Sequence, residues 1–364
     1  MSREKPFLVL DHVKKSFGAH EVIADATLSL ERGESLALVG PSGAGKTVLL
    51  RLIAGIAAPD GGRILLDGRD LAGMPSAERG IGLAFQNFAL YPHLTAYDNI
   101  ASPLRARGLA DAEVKRRVGE VAELLRIAHV LSQEPRRLSN GQKQRTALAR
   151  SLVSGATLQM LDDPLRNVDA KLRYEMRFEL PRLLKTFGAT SIYVTQDYRE
   201  AMAFGDRIAV LDGGRFLQVG DAQAVYAKPA TLSVARLFGD PTLNTFAVTP
   251  AADGGVSLFE RKIALPGRGL GAFAGQPCTL GVRPEHVAVA TEPGPGRMRM
   301  ELDAVTPLND RAALLLRTPA GEEVLALLSE DAIGRLPAHH GTVHVSIDPA
   351  RVLAFDPSGQ LQAA

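Results

Sequence analysis

Eight residues near the start of the chain have the types and spacing of a phosphate-binding loop. They fit the pattern G-x-x-x-x-G-K-[ST] and read Gly40-Pro41-Ser42-Gly43-Ala44-Gly45-Lys46-Thr47. Glycines let successive backbone N–H groups turn inward around phosphate oxygens, and a following helix directs its positive end at the same charge. Lys46 is expected to reach the β- and γ-phosphates, and the Thr47 hydroxyl to ligate Mg²⁺. The pattern therefore predicts a nucleoside triphosphate site.

The elements on either side of the loop agree with this interpretation. Residues 35–39 form an apolar run typical of a buried strand, and residues 47–56 have the composition of an apolar helix. Strand, glycine loop and helix is the order that the motif requires. Residues 7–13 and 22–30 are strand-like runs that alternate with polar turns, and the later strands predicted at residues 81–85, 157–161 and 191–195 are separated by helical stretches. This alternation predicts an α/β core with a largely parallel sheet.

Between residues 88 and 138 the strand pattern stops. Asp111 is placed to cap a helix. The apolar residues that follow recur at helical spacing, at Val114, Val118, Val121, Ala122 and Leu125. We therefore expect a helical insertion in the sheet domain at about residues 88–140. Pro181 falls inside a later predicted helix, which it should bend.

After about residue 240 the sequence changes to short β-like runs punctuated by proline, such as residues 278–282 and 342–347. Short strands with turn signals at this spacing predict a small barrel or sandwich. A chain of 364 residues is long for one domain. The expected organisation is a nucleotide-binding domain over residues 1–240 and an all-β domain over residues 241–364.

The bulk composition excludes several classes of protein. A net charge of +2 gives no reason to expect nucleic acid or an anionic membrane as the main partner. The single cysteine, Cys278, excludes an intrachain disulfide and suits a reducing cytoplasm. The first ten residues contain too short an apolar run for a secretory signal, and no stretch approaches the roughly 20 apolar residues of a membrane helix. If the protein serves a membrane process, we expect it to be a peripheral subunit.

A second motif, Leu138-Ser139-Asn140-Gly141-Gln142, follows the loop in the same chain. With both motifs, residues 5–240 resemble the ATPase subunit of ATP-binding-cassette (ABC) transporters. The resemblance implies that family's fold, a P-loop NTPase core with a mixed sheet and a helical subdomain. In the family, two subunits sandwich two ATP molecules head to tail, so Ser139, Gly141 and Gln142 would contact ATP held by the other subunit. Ser139 would also cap the helix that follows it.

The resemblance implies roles for further residues that would be ordinary if taken alone. Phe17 would stack on adenine, although a packed aromatic looks the same in a sequence. Asp162 would hold Mg²⁺, although an acidic residue at a strand end is usually a turn former. Gln86 would touch Mg²⁺ and the attacking water, and Asp169 belongs to the loop that crosses the dimer interface. The implied metal ligands are therefore Thr47, Gln86 and Asp162.

Four positions depart from the family pattern. Asp163 stands where the family has the glutamate that acts as general base, and Gln196 stands where it has a histidine. Asn140 and Arg166 replace smaller residues. A carboxylate that is one methylene shorter is withdrawn by roughly 1.5 Å, and misplacement on that scale can cost about 10²-fold in rate. Because Gln196 cannot take up a proton as imidazole does, we expect a site that binds ATP and hydrolyses it poorly.

Residues 87–100 resemble the importer branch of the family. Residues 281–285 resemble a motif in the oligonucleotide-binding-like regulatory domain of carbohydrate-importer ATPases. The resemblance implies an importer subunit for a sugar, glycerol or a related polyol, with ATP and Mg²⁺ as cofactors. It implies a peripheral location on the cytoplasmic face of the inner membrane. The implied partners are a second ATPase subunit, two permeases and, indirectly, an extracytoplasmic solute-binding protein.

The combined change of Asp163 and Gln196 favours pairing with a different, catalytically complete ATPase subunit. Such a complex is expected to hydrolyse ATP, whether or not this chain's own site does. Two alternatives stay open. One is a homodimer with two slow active sites, and the other is a nucleotide-gated regulatory protein with no role in transport.

Overall fold

The computed structural model describes residues 5–85, 87–166, 168–259, 261–263, 269–308, 310–334, 336 and 340–362. By its internal contacts the chain divides into two units, Met1–Gln223 and Ala224–Ala364. This division falls earlier along the chain than residue 240.

A ten-stranded mixed sheet forms the first unit. In chain order its strands are β1 (Leu8–Phe17), β2 (His20–Leu30), β3 (Ser35–Val39), β4 (Gly61–Leu66), β5 (Arg69–Asp70), β6 (Ile81–Ala84), β7 (Leu158–Asp162), β8 (Thr190–Thr195), β9 (Arg207–Asp212) and β10 (Arg215–Gly220). Across the sheet the order is β5-β4-β1-β2-β10-β9-β3-β8-β7-β6. The run from β9 to β6 is parallel, whereas β1, β2, β4 and β5 pair antiparallel. The predicted α/β class is therefore confirmed.

Six helices complete this unit in the described residues: α1 (Lys46–Ala54), α2 (Ala96–Ala106), α3 (Asp111–Leu124), α4 (Asn140–Val153), α5 (Ala170–Thr186) and α6 (Tyr198–Phe204). The apolar side of α1 is buried together with β1, β2 and β3 in one hydrophobic core. Helices α2 to α5 contribute to a second core. In the part of the chain that is described, no helix has both the length and the apolar character needed to cross a membrane.

The region between β6 and β7 is helical, as the sequence predicts. Its described residues form α2, α3 and α4 and no strand. The predicted apolar stripe of α3 is buried at Val114, Val118, Val121 and Ala122.

The prediction that Asp111 caps α3 is wrong. Ala110 occupies the cap position, and Asp111 is the first helical residue, where its charge favours the positive helix end. Pro181 lies inside α5, which extends on both sides of it.

Short antiparallel strands dominate the second unit. Helix α7 (Ala222–Ala227) crosses the division, and α8 (Leu232–Leu237) follows it. The strands are β11 (Asn244–Val248), β12 (Val256–Leu258), β13 (Arg261–Ile263), β14 (Cys278–Val282), β15 (Val287–Ala290), β16 (Met298–Leu308), β17 (Arg311–Arg317), β18 (Glu323–Ser329), β19 (Thr342–Ile347) and β20 (Leu353–Phe355), with α9 (Glu330–Ile333) after β18. They form sheets β11-β14-β20, β12-β13 and β15-β19-β16-β17-β18 around one core. The two β-like runs quoted from the sequence are β14 and β19.

Candidate phosphate-binding site

The predicted phosphate loop joins β3 to α1, and two of its glycines leave no room for a side chain. A Cβ on Gly40 would lie 2.0 Å from the carbonyl oxygen of Leu211. Gly45 has a φ of 97°, and a Cβ there would lie 2.7 Å from Ile23 Cδ1. Only glycine tolerates both the left-handed backbone and this close approach. The neighbouring strands therefore fix the curved path of the loop.

Lys46 closes the loop on itself. Its Nζ donates hydrogen bonds of 2.7 Å to the carbonyl oxygens of both Gly40 and Pro41. The side chain is buried, and this burial lowers the pKa of Lys46, an effect that the charges of Asp163 and Asp162 oppose. The ammonium group thus lies against the loop that the sequence assigns to phosphate.

Thr47 and Asp162 place two oxygen atoms side by side. The Thr47 Oγ1 donates to Asp162 Oδ1 at 3.2 Å. Asp162 ends β7 and is buried, and burial raises its pKa while the hydrogen bond from Thr47 lowers it. Hydroxyl and carboxylate oxygens are the hard ligands that Mg²⁺ prefers. This donor pair fits the predicted metal ligands.

Asp163 follows β7 in a left-handed backbone conformation. Its φ is 48°, and its N–H donates to the carbonyl oxygen of Val194 at 2.9 Å. Burial, and then the negative charge of Glu200, raise the pKa of its carboxyl group to about 6, although Arg166 at 3.7 Å acts in the opposite direction. The carboxyl group is therefore ionised at neutral pH and still basic enough to accept a proton.

One pocket of about 230 Å³ gathers most of the predicted site. Sites for drug-sized ligands are about 300–1,000 Å³, so this pocket is smaller than such a site, and its lining includes residues of the phosphate loop. Gln196 lies in its wall with Asp163 because β7 and β8 are parallel neighbours whose carboxyl ends meet at one edge. The lining residues are Val22, Ser42, Gly43, Ala44, Gly45, Lys46, Thr47, Val48, Asp162, Asp163, Arg166, Val194 and Gln196.

The second motif lies outside this pocket, at the start of α4. Ser139 Oγ accepts from the Gln142 N–H at 3.2 Å, and Gln142 Oε1 accepts from the Ser139 N–H at 2.9 Å. Ser139 therefore caps the helix, as predicted, and Gly141 lies in its first turn. Ser139 is exposed, which a contact with a nucleotide on another subunit requires.

Phe17 and Asp169 also do not line this pocket. Phe17 ends β1 with 53% of its surface exposed, and the Lys15 Nζ lies 5.3 Å from its ring centroid. Asp169 is exposed just before α5. Gln86 lies outside the described residues.

The sequence did not predict a buried acidic residue behind Asp163. Glu200 Oε2 accepts hydrogen bonds of 2.8 Å from the Tyr193 hydroxyl and from Thr195 Oγ1. Burial raises the pKa of Glu200, and its charge in turn contributes to the raised pKa of Asp163. The feature that could have indicated a role for Glu200 is its position in the first turn of α6, directly after β8.

Comparison with known proteins matches both parts of the chain. A family model described as ABC transporter covers residues 23–166, and a TOBE domain model covers residues 280–355. The chain is 37% identical over 357 residues to the maltose/maltodextrin import ATP-binding protein MalK of Yersinia pestis, covering 97% of this chain and 96% of that protein. It is 42% identical over 296 residues to the sn-glycerol-3-phosphate import ATP-binding protein UgpC of Ruegeria pomeroyi, covering 81% and 82% of the two chains.

Solved structures show the same cassette fold. A dimeric, post-hydrolysis state of the ATP-binding cassette MJ0796 bound to ADP and Pi matches with a TM-score of 0.55 and 28% identity, covering 59% of this chain and 98% of that one. CbiO1 of Clostridium perfringens, part of the transporter complex cbiONQ, matches with a TM-score of 0.57 and 26% identity, covering 62% and 92% of the two chains. The chain therefore belongs to the ABC transporter family, as an ATP-binding subunit with a C-terminal TOBE domain.

Proposed function

We propose that this chain is the ATP-binding subunit of an importer for a sugar, glycerol or a related polyol. The observation that carries the proposal is the similarity to MalK, which extends over 97% of the chain and so includes the TOBE region as well as the cassette. Those relatives import maltodextrin or sn-glycerol-3-phosphate by name, which supports the solute class. The chain would act peripherally at the cytoplasmic face of the inner membrane, with two permeases and, indirectly, an extracytoplasmic solute-binding protein.

In this proposal the phosphate loop and Lys46 hold the phosphates of ATP. Thr47 and Asp162 hold Mg²⁺, which neutralises phosphate charge, and Gln86 assists at the metal. Asp163 orients the attacking water. All of these groups except Gln86, which is not described, line or adjoin one pocket.

We further propose that this site hydrolyses ATP slowly and that the chain pairs with a different, catalytically complete ATPase subunit. Asp163 and Gln196 share the pocket wall, so both departures act on the same step, and their costs need not multiply. Ser139 and Gly141, by contrast, keep the capped helix end that can donate to a phosphate on the partner.

Nucleotide binding is tested by Lys46→Ala. Removing the buried ammonium should abolish binding of a fluorescent ATP analogue in the presence of Mg²⁺. The matched control is Lys171→Ala, which removes an exposed lysine from the first turn of α5. Unchanged affinity in Lys46→Ala would refute the assignment of the site.

The asymmetric model is tested in the purified transporter. General-base catalysis contributes about 10² to 10⁴ in rate, so Asp163→Ala should leave total ATPase activity within about a factor of two only if the partner's site carries turnover. Ser139→Asp keeps a favourable helix cap but opposes the partner's phosphate, so it should remove nearly all activity. A dead Asp163→Ala complex would instead indicate a homodimer with two active sites.

Transport itself is tested by association with permeases. Tyr91 lies in the segment that resembles the importer branch, and 48% of its surface is exposed. When the chain is co-expressed with the permease subunits of its importer, we expect a complex that Tyr91→Asp weakens. A chain that never joins a membrane complex would favour the regulatory alternative.

A further inference from the structure

Arg166 is the one positively charged side chain other than Lys46 that lines the phosphate pocket, counting the residues that the structure describes. It is three residues beyond Asp163, where the resemblance implies a small side chain. We propose that Arg166 is an additional phosphate-binding residue that turns from Asp163 to the terminal phosphate of ATP bound in its own chain. The proposal rests on the proposed nucleotide-binding function.

The backbone beneath Arg166 is held firmly. Arg173, on α5, donates from Nε to the Leu165 carbonyl oxygen at 3.1 Å. Its Nη2 donates to the carbonyl oxygens of Arg166 and Val168 at 3.0 and 3.2 Å. One guanidinium therefore fixes three carbonyl groups of the loop, and Arg166 starts from a defined position at the pocket wall.

The head of the Arg166 side chain is held much less tightly than its backbone. Its Nη1 lies 3.7 Å from Asp163 Oδ2, which is longer than the usual hydrogen-bond distance of about 2.7–3.2 Å. Its side chain is 54% exposed, against 14% for that of Asp163. The guanidinium is thus attracted to the carboxylate but free to exchange it for another anion.

A phosphate is the anion that suits this exchange. A guanidinium presents its donors in a planar fork that matches two phosphate oxygens, and such charge-assisted bonds are among the strongest in proteins. Arg166 and Lys46 line the same pocket, so both cations can bind one polyphosphate there.

The terminal phosphate is the part of ATP that Arg166 would reach. Lys46 is expected at the β- and γ-phosphates, and Asp163, which lies 3.7 Å from Arg166, is proposed to orient the water that attacks the γ-phosphate. Arg166 should therefore strengthen binding of ATP more than binding of ADP.

The test measures affinity in the full chain, without relying on turnover. Fluorescent trinitrophenyl derivatives of ATP and ADP are titrated with Mg²⁺ at protein concentrations where sedimentation shows single copies. Arg166→Gln should weaken binding of the ATP derivative by roughly tenfold or more and of the ADP derivative by less than about threefold. Arg166→Lys keeps the charge but not the planar guanidinium, so its affinity for the ATP derivative should lie between those of the wild type and Arg166→Gln. The control is Arg69→Gln, an exposed residue of β5 outside the pocket.

The outcomes separate this proposal from the function on which it rests. If Lys46→Ala abolishes binding while Arg166→Gln binds ATP as the wild type does, Arg166 has no such role and the nucleotide site stands. An Arg166→Gln effect that appears only in dimers would also overturn the proposal, because the contact would then be made across the interface. If Lys46→Ala itself changes nothing, the nucleotide site is wrongly assigned.

Discussion

The raised pKa of Asp163 predicts that this residue destabilises the nucleotide-free cassette and that Asp163→Asn stabilises it. A carboxyl group whose folded-state pKa lies above its unfolded value is protonated more readily in the folded state. Its ionisation therefore costs stability, and this cost is absent at low pH and complete above the folded-state pKa. Burial and the charge of Glu200 are the main causes of the shift from 3.8 to about 6.

The size of the effect follows from that shift. Each pKa unit is worth about 1.4 kcal/mol, so a shift of about two units gives a cost of roughly 3 kcal/mol when fully developed. The cost should be about 1 kcal/mol near pH 4.5 and approach its full value near pH 8, because ionisation of the folded state is complete only above about pH 6. Asp163→Asn removes this cost of ionisation, because an amide has nearly the shape of a carboxyl group but carries no charge.

Calorimetry without nucleotide measures the prediction, since it can resolve the transitions of the two units. One kcal/mol shifts the melting temperature by about 2–4 °C in a unit of this size. The advantage of Asp163→Asn over the wild type should therefore grow by roughly 4–8 °C between about pH 4.5 and pH 8. The control Asp67→Asn changes an exposed carboxylate. If the melting temperatures of wild type and Asp163→Asn change in parallel with pH, then burial and the charge of Glu200 do not raise the pKa of Asp163 as described.

Three further predictions test the loop, the adenine contact and the second unit. Gly40→Ala should destabilise the cassette by about 3 kcal/mol in the same calorimetry, because the new Cβ would meet the Leu211 carbonyl oxygen at 2.0 Å; a normal transition would contradict the described loop. Phe17→Ala should weaken ATP binding by about tenfold, since base stacking contributes about 1–3 kcal/mol, and should leave the affinity for inorganic triphosphate unchanged in isothermal titration. A fragment that begins at residue 224 should fold with a β-type circular dichroism spectrum. A fragment that begins at residue 250 should not, because it lacks β11, which pairs with β14 and supplies core residues Phe246 and Val248.

The parts of the fold that could be predicted from the sequence are those in which a local pattern carries the information. The strand, loop and helix around Lys46 have strong apolar runs and glycines at fixed spacing, and the prolines beyond residue 240 indicate short strands. Asp111 was misplaced by one position because a carboxylate is favourable both at a helix cap and in the first turn.

The electrostatic state of the site could not be predicted in the same way. The effect of Glu200 on the pKa of Asp163 depends on where the first turn of α6 lies after β8. The types and spacing of the two residues in the sequence do not predict that they interact. Arg166 was visible as a departure from a family pattern. Its place in the pocket wall follows only from the path of the loop that Arg173 holds.

The double hydrogen bond of Lys46 to the carbonyl oxygens of Gly40 and Pro41 has a consequence for the kinetics of nucleotide exchange. The two hydrogen bonds already hold the Lys46 ammonium group in position. A phosphate that binds therefore replaces these two acceptors and does not have to order a mobile side chain. Little conformational entropy is lost in that step. When a phosphate departs, the same two carbonyl oxygens can take the ammonium back at once, so the barrier to release is lower than if the buried charge were left without partners. The measured residence time of a nucleotide should thus depend on these two backbone carbonyl oxygens as well as on the contacts of the nucleotide itself.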